Sequence, residues 1–146
     1  MITIIQLKKA DTRTREEVNN LLLQLSKHAK PLTLKELQTM LIQKHLMFFV
    51  AREKNHIVGM ALLWFFRKVM GLQGSIEDMV VDEQYRERGI GKALCQTLIR
   101  RAKKSRLVHL DLTSRPERIA ANDFYKKLGF ELRDTNIYRL SLARKG

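Results

Sequence analysis

The sequence predicts an α/β (α+β) fold with a central mixed sheet. Three observations lead there. From Ser75 to Thr113 an apolar strand, a glycine hinge, an amphipathic helix and a second apolar strand follow one another. Upstream, two apolar runs flank the short polar turn Glu53-Lys54-Asn55-His56, as in an antiparallel hairpin. The length of 146 residues and 45% hydrophobic content suit one globular domain spanning 1–146, which buries roughly two thirds of its unfolded surface.

Taken in order, Ile2 to Leu7 alternates as a first strand. Asp11 or Thr12 caps a helix through Val18, Leu21, Leu22 and Leu25 to about Ala29, before Pro31. Thr33-Leu34-Lys35-Glu36 reads as a capping box opening a second helix. Leu46 to Arg52 and Ile57 to Phe66 form the hairpin, with His56 in its exposed turn. Alternation sends Phe65 to the face opposite Trp64 and Phe66. Gly71 and Gly74 bracket the next turn, and Ile76 to Val81 is a strand in which Glu77, Met79 and Val81 share one face and Ile76, Asp78 and Val80 the other.

Ile90, Ala93, Leu94, Thr97, Leu98 and Ala102 recur at helical spacing and set a helix from Ile90 to about Lys104. Leu107 to Thr113 then returns as a strand parallel to the one before the hinge. Arg115-Pro116-Glu117 opens a last helix that carries Asn122 and Tyr125 on one face, with Gly129 as its C-cap. Strands from Phe130 towards Leu132 and from Ile137 to Leu142 follow, then a basic tail, Arg144-Lys145.

Composition narrows the function. With 28 basic and 15 acidic residues the net charge is +13, which attracts nucleic acid, anionic membranes or anionic small molecules alike. No recognition-helix or aromatic-platform pattern accompanies the charge, so nucleic acid is disfavoured, though charge alone leaves it open. No apolar run reaches the ~18 residues of a membrane span, and no targeting signal is read. Cys95 is the single cysteine, which excludes an internal disulfide and fits a cytoplasmic location.

The hinge Arg86-Glu87-Arg88-Gly89-Ile90-Gly91-Lys92 has the composition of an anion cradle. A helix start leaves amide N–H groups unpaired, glycines let a ligand approach the main chain, and the helix dipole favours negative charge. Eight basic residues and one acidic lie between Gln84 and Arg106, a net +7, with Arg86, Arg88 and Lys92 at the loop itself. A Walker loop fails, because Arg86 stands where its first glycine belongs and Ala93 follows Lys92. A dinucleotide fingerprint fails at Leu94. Locally, anion binding and a plain packing turn both fit. Likewise Glu77 and Asp78, set within an apolar strand, either line a cleft or are paired inside the fold.

Arg86-x-x-Gly89-x-Gly91, after an IEDMVV strand and before an amphipathic helix, resembles the acyl-coenzyme A loop of the GNAT N-acetyltransferase superfamily. Ala121-Asn122-Asp123-Phe124-Tyr125-Lys126-Lys127-Leu128-Gly129-Phe130 is similar to that family's closing helix and strand, and both motifs occur in the family's order. The resemblance covers Ser75 to Phe130 by motif and the first seventy residues by element order. It implies a mostly antiparallel sheet with a splayed parallel strand pair, flanked by helices, in one N-acetyltransferase domain.

The resemblance further implies acetyl-coenzyme A as cosubstrate, no metal, and a primary amine as acceptor. The loop Arg86, Glu87, Arg88, Gly89, Ile90, Gly91 and Lys92 takes the pyrophosphate, the main chain of Met79, Val80 and Val81 takes the pantetheine arm, and Asn122 hydrogen-bonds coenzyme A. Glu77 becomes the general base, directly or through water, and Tyr125 the acid that protonates the thiolate. A homodimer is compatible with the resemblance. A basic nucleic-acid-binding module, or an acyl-coenzyme A sensor without turnover, is the alternative. Net charge favours acidic peptides or small anionic amines over polyamines as acceptors.

Overall fold

The computed structural model describes residues 1–143, which fall into two compact units, Met1–Leu112 and the residues from Thr113 on. In the first unit β1 (Ile2–Leu7), β2 (Leu46–Glu53), β3 (His56–Lys68), β4 (Gly71–Val81) and β5 (His109–Asp111) form one sheet in the order β1-β2-β3-β4-β5. The first four strands are antiparallel neighbours, and β4 pairs with β5 in parallel. Helices α1 (Thr12–Leu25), α2 (Leu34–Leu41) and α3 (Ile90–Lys104) complete the unit.

Local chemistry fixes the helix ends. The Asp11 carboxylate accepts from the backbone N–H and hydroxyl of Thr14, both at 2.8 Å, and these bonds hold its carboxyl below the usual range. Thr33 and Glu36 form the expected reciprocal capping box. A cap of this kind contributes about 1 kcal/mol. The first helix ends at Leu25, short of Ala29, because the Asn19 side chain bonds both the N–H and C=O of Leu32 and draws the following link back along α1.

The core lies on both sides of the sheet. Leu7, Phe48, Val50, Met60, Leu62 and Val80 pack with Val18 and Leu21 of α1 and Leu37 of α2. The alternate residues Phe49, Ala61, Leu63 and Ile76 point the other way, and α3 contributes Ile90, Leu94, Cys95, Leu98 and Ala102 to the interior. Phe65 is buried while Trp64 is 42% exposed, as alternation predicts.

The turn expected between Gly71 and Gly74 lies instead at Val69-Met70, and both glycines belong to β4. Gly74 is closely packed: a Cβ there would stand 2.4 Å from Leu107 Cδ1 and 3.4 Å from the Trp64 carbonyl, so the Leu107 side chain would have to turn aside. No helix of the described residues is long and apolar enough to cross a membrane.

In the second unit α4 (Ile119–Lys127) starts later than the Arg115-Pro116-Glu117 segment suggested. Those residues form a separate turn, closed by the Arg118 N–H on the Arg115 carbonyl at 3.0 Å. Gly129 ends the helix as expected, with Phe130 N–H bonded to Tyr125 O and Gly129 N–H to Lys126 O, a Schellman pattern. The strands expected at Phe130 to Leu132 and Ile137 to Leu142 do not form among the described residues. Leu132, Ile137, Tyr138, Leu140 and Leu142 are all exposed, and alternation without a paired neighbour does not stabilise a strand. The tail Arg144-Lys145 lies outside the described residues.

Candidate functional site

The hinge after β4 is a loop with its donors free. Asp82 accepts from Gln84 N–H at 2.9 Å and caps a short 3₁₀ turn, Glu83–Tyr85, which passes the chain to Arg86. Glu87 then takes φ 63° and Gly89 φ 77°, two left-handed residues that turn the chain into α3. Gly89 is the helix N-cap, offers no side-chain cap, and a Cβ on it would meet nothing within 4 Å. The Gly89 carbonyl accepts the first helical bond, from Ala93 N–H. Among the described residues the N–H groups of Glu87, Arg88, Gly89, Ile90, Gly91 and Lys92 donate to no acceptor.

The charged side chains of this loop divide. Arg86 Nε donates to the Val81 carbonyl at 3.2 Å, which ties the loop back onto β4. Arg88 stacks over the Tyr85 ring at 4.9 Å and lies 3.8 Å from Glu53, so it is partly engaged. Glu87 is exposed, and Lys92 is exposed on the first turn of α3. Ile90 is buried and anchors the helix start in the core. An anion held here would meet main-chain donors first and mobile cations second.

Within β4 the alternation read from the sequence is broken. Met60 pairs with Val80 and Leu62 with Glu77, so Asp78 and Met79 together oppose Ala61. Asp78 adopts φ 51° at this bulge. The extra residue resets the faces: Glu77 and Val80 point to the same side, contrary to the expected Glu77-Met79-Val81 face. A sequence period of two carries no mark of such an insertion. Asp gives a weak one, since it tolerates left-handed backbone better than most residues.

Two carboxylates result with different surroundings. Glu77 is exposed and accepts from the Ser75 hydroxyl at 2.7 Å. Asp78 is exposed as a whole residue too, but it borders a cavity of about 40 Å³ with Val18, Met40, Phe48 and Met60. Withdrawal from water, and secondly the neighbouring Glu77 charge, hold the Asp78 carboxyl above the usual carboxylate range. Among the described residues neither forms an ion pair.

The parallel seam is short. Pairing of β4 with β5 ends at Ser75 opposite Asp111, while β4 runs on to Val81. Beyond that point the edge of β4 that carries Met79, Val80 and Val81 has no partner strand on the β5 side among the described residues. Val80 itself is buried and Met79 and Val81 are half-buried, so main chain more than side chain is presented there.

Asn122 and Tyr125 belong to the second unit. Asn122 is half-buried and its Nδ2 donates to the Arg115 carbonyl at 3.0 Å, fastening the segment before α4. Tyr125 is half-buried between the rings of Phe124, at 5.3 Å, and Phe130, at 6.1 Å. No cluster of three or more metal-ligating side chains occurs among the described residues. His56, at the start of β3, lies 3.7 Å from Glu17 of α1 and is exposed, as its turn position indicated.

Comparison with known proteins gives these features a context. Residues 14–130 match the model of the acetyltransferase (GNAT) family. A Trypanosoma brucei acetyltransferase is 29% identical, with a TM-score of 0.81 over 97% of this chain and 100% of that one. An aminoglycoside acetyltransferase from an uncultured soil metagenomic sample, in complex with trehalose, is 20% identical with a TM-score of 0.85 over 98% and 97%. AAC(6')-Iy, in complex with the bisubstrate analogue CoA-S-monomethyl-acetylneamine, is 20% identical with a TM-score of 0.79 over 98% and 99%. The mixed sheet, mostly antiparallel with its parallel β4–β5 pair, and the helices α1 to α4 in this order along the chain make up the fold shared with these neighbours.

Proposed function

This chain belongs to the acetyltransferase (GNAT) family, and from that membership we propose that it moves an acetyl group from acetyl-coenzyme A to a primary amine by direct attack in a ternary complex. The observation that carries the proposal is the run of six free N–H groups from Glu87 to Lys92 around the left-handed Gly89. Such a run suits the pyrophosphate of coenzyme A. Arg86, Arg88 and Lys92 add charge, and the open β4 edge at Met79, Val80 and Val81 suits the amide groups of pantetheine. Asn122 is assigned a hydrogen bond to the cosubstrate by the family resemblance. Both units are taken as one N-acetyltransferase domain, 1–146.

The chemistry sets what the residues must do. An alkylamine is neutral in only about one molecule in 2,500 at pH 7, so a base has to take its proton. Support for Glu77 in this role comes from its exposure and from the Ser75 hydroxyl that donates to one of its oxygens. The amine nitrogen then bonds to the thioester carbonyl carbon and the C–S bond breaks. Glu77, directly or through water, holds the first proton of the ammonium, and the second, shed by nitrogen as the amide forms, passes through water to restore the one that Tyr125 gives up. Tyr125 gives a proton to the departing thiolate, which leaves as coenzyme A thiol.

Release of that thiol is the test, read with a thiol reagent while acetyl-coenzyme A and a panel of amines are supplied. Cys95 does not interfere, because burial pushes its thiol up to about 11. Amine-dependent thiol release is expected, together with a rise in melting temperature on adding acetyl-coenzyme A. Tyr125→Phe should slow release about 10–100-fold and leave the melting shift intact. No shift at millimolar acetyl-coenzyme A contradicts the reading.

A further inference from the structure

Beyond the residues packed against α1 and α2, one face of the sheet carries exposed side chains. Leu62 pairs with Glu77, Trp64 with Ser75 and, across the parallel seam, Ser75 with Asp111. Paired residues on neighbouring strands point to the same side, and so do residues two apart. Trp64, Phe66, Glu77 and Asp111 therefore share this face, and Trp64, Glu77 and Asp111 are exposed on it. The Trp64 and Phe66 rings lie 6.3 Å apart and tilted by 30°, a small aromatic floor.

The floor already accepts a cation, for Lys68 Nζ stands 5.8 Å above the Phe66 ring. Trp64, the better cation–π partner, has no such neighbour among the described residues. Asp111 and Glu77 flank it without ion pairs among the described residues, on a chain whose net charge is +13. A sheet face with exposed aromatic surface and two unpaired carboxylates is complementary to a small cation, whatever the field of the whole molecule.

We propose that this face selects acceptors bearing a second ammonium group, that is, diamines or polyamines. The proposal rests on the acetyl-transfer reading above and names the class of its acceptor. The reacting ammonium lies at Glu77 and gives up its first proton there; its nitrogen then bonds to the thioester carbonyl carbon, sheds the second proton as the C–S bond breaks, and becomes the acetamide nitrogen. The distal ammonium stays protonated, over the Trp64 ring and against the Asp111 carboxylate. As diagonal neighbours across adjacent strands, Glu77 and Asp111 are roughly 7–8 Å apart, which a short alkyl chain covers. This replaces the expectation from net charge that acidic peptides or anionic amines fit better: the acceptor meets the local face, and the local face is acidic.

Three acceptors of similar size test it: 1,4-diaminobutane, butylamine and 4-aminobutanoate, each with saturating acetyl-coenzyme A. We expect kcat/KM for the diamine about tenfold above butylamine, equivalent to about 1.4 kcal/mol, with 4-aminobutanoate lowest. Asp111→Asn and Trp64→Leu should each bring the diamine-to-butylamine ratio towards one. Equal rates for diamine and butylamine, or a preference for 4-aminobutanoate, overturn the proposal and leave acetyl transfer standing. Should no amine be acetylated, calorimetry with 1,4-diaminobutane decides: binding weakened by Asp111→Asn keeps the cation site and removes the acetyl-transfer reading, whereas no binding overturns the proposal.

Discussion

Past its carboxyl end β4 opens into a loop of free main-chain donors with arginine and lysine around them, while nearer its middle the same strand contributes Glu77 to an open face with Trp64, Phe66 and Asp111. The two regions are less than one strand length apart, yet one suits a polyanion and the other a cation. The loop relies on backbone groups, which mutation cannot remove; the sheet face relies on side chains, which mutation can.

If the division is right, changes on the face should alter turnover and acceptor choice, and changes in the loop should alter cosubstrate affinity. The largest effect expected is from Glu77→Gln. Loss of the base should lower kcat by about 10²–10⁴ while the acetyl-coenzyme A dissociation constant stays within about twofold. Steady-state rates and calorimetry on the same preparation check both numbers. A variant that loses affinity and rate together would merge the two regions into one.

A loop change should do the reverse. Gly91 sits in the first turn of α3, and a Cβ there meets only Val81 Cγ2, at 3.8 Å, an ordinary contact. Alanine is the better helix former by about 1 kcal/mol, so Gly91→Ala should raise the melting temperature of the free protein by about 2–4 °C. The same methyl stands beside an amide assigned to the pyrophosphate and should weaken acetyl-coenzyme A several-fold. Stabilisation with unchanged affinity would show that Gly91 is not kept for the ligand.

How much of this was legible in the sequence depends on whether the signal was local. The bounds of α3, the Thr33–Glu36 capping box and the Gly129 cap are written in side chains that act within one turn, and the structure has them as read. The β4 bulge was not legible, since it arises from how β4 registers on β3 and every face assignment after Glu77 depends on that register. The strands expected after Phe130 failed for a related reason. Alternation at Ile137 to Leu142 states which residues could be buried, and burial needs a partner that the segment does not supply itself. The cluster on the open face was half legible: Trp64 and Glu77 could be picked out singly, but only the β3–β4–β5 register puts them beside Asp111.

The smallest effect concerns Asp78. Its carboxyl titrates above the usual value of 3.8 because of partial burial and then Glu77, so the folded protein holds that proton more tightly than the unfolded chain does. Stability from this group is therefore full below the ordinary carboxylate range and is lost as pH rises through the raised value. Asp78→Asn keeps a residue that tolerates φ 51° and removes the charge. It should be neutral in acid and raise the melting temperature by about 1–2 °C at pH 7, water screening keeping the gain small. A melting series from pH 3 to 7 on both proteins checks the sign; a variant less stable at pH 7 than the parent would mean that Asp78 gains from its charge.

The whole scheme stands or falls with the Glu87 to Lys92 amides receiving the pyrophosphate of coenzyme A. Backbone amide resonances followed during a titration with acetyl-coenzyme A read this directly. The largest shifts should fall on Glu87, Arg88, Gly89, Ile90, Gly91 and Lys92, with saturation at one equivalent. Binding that leaves those six amides unmoved, or the absence of any binding, would contradict the account.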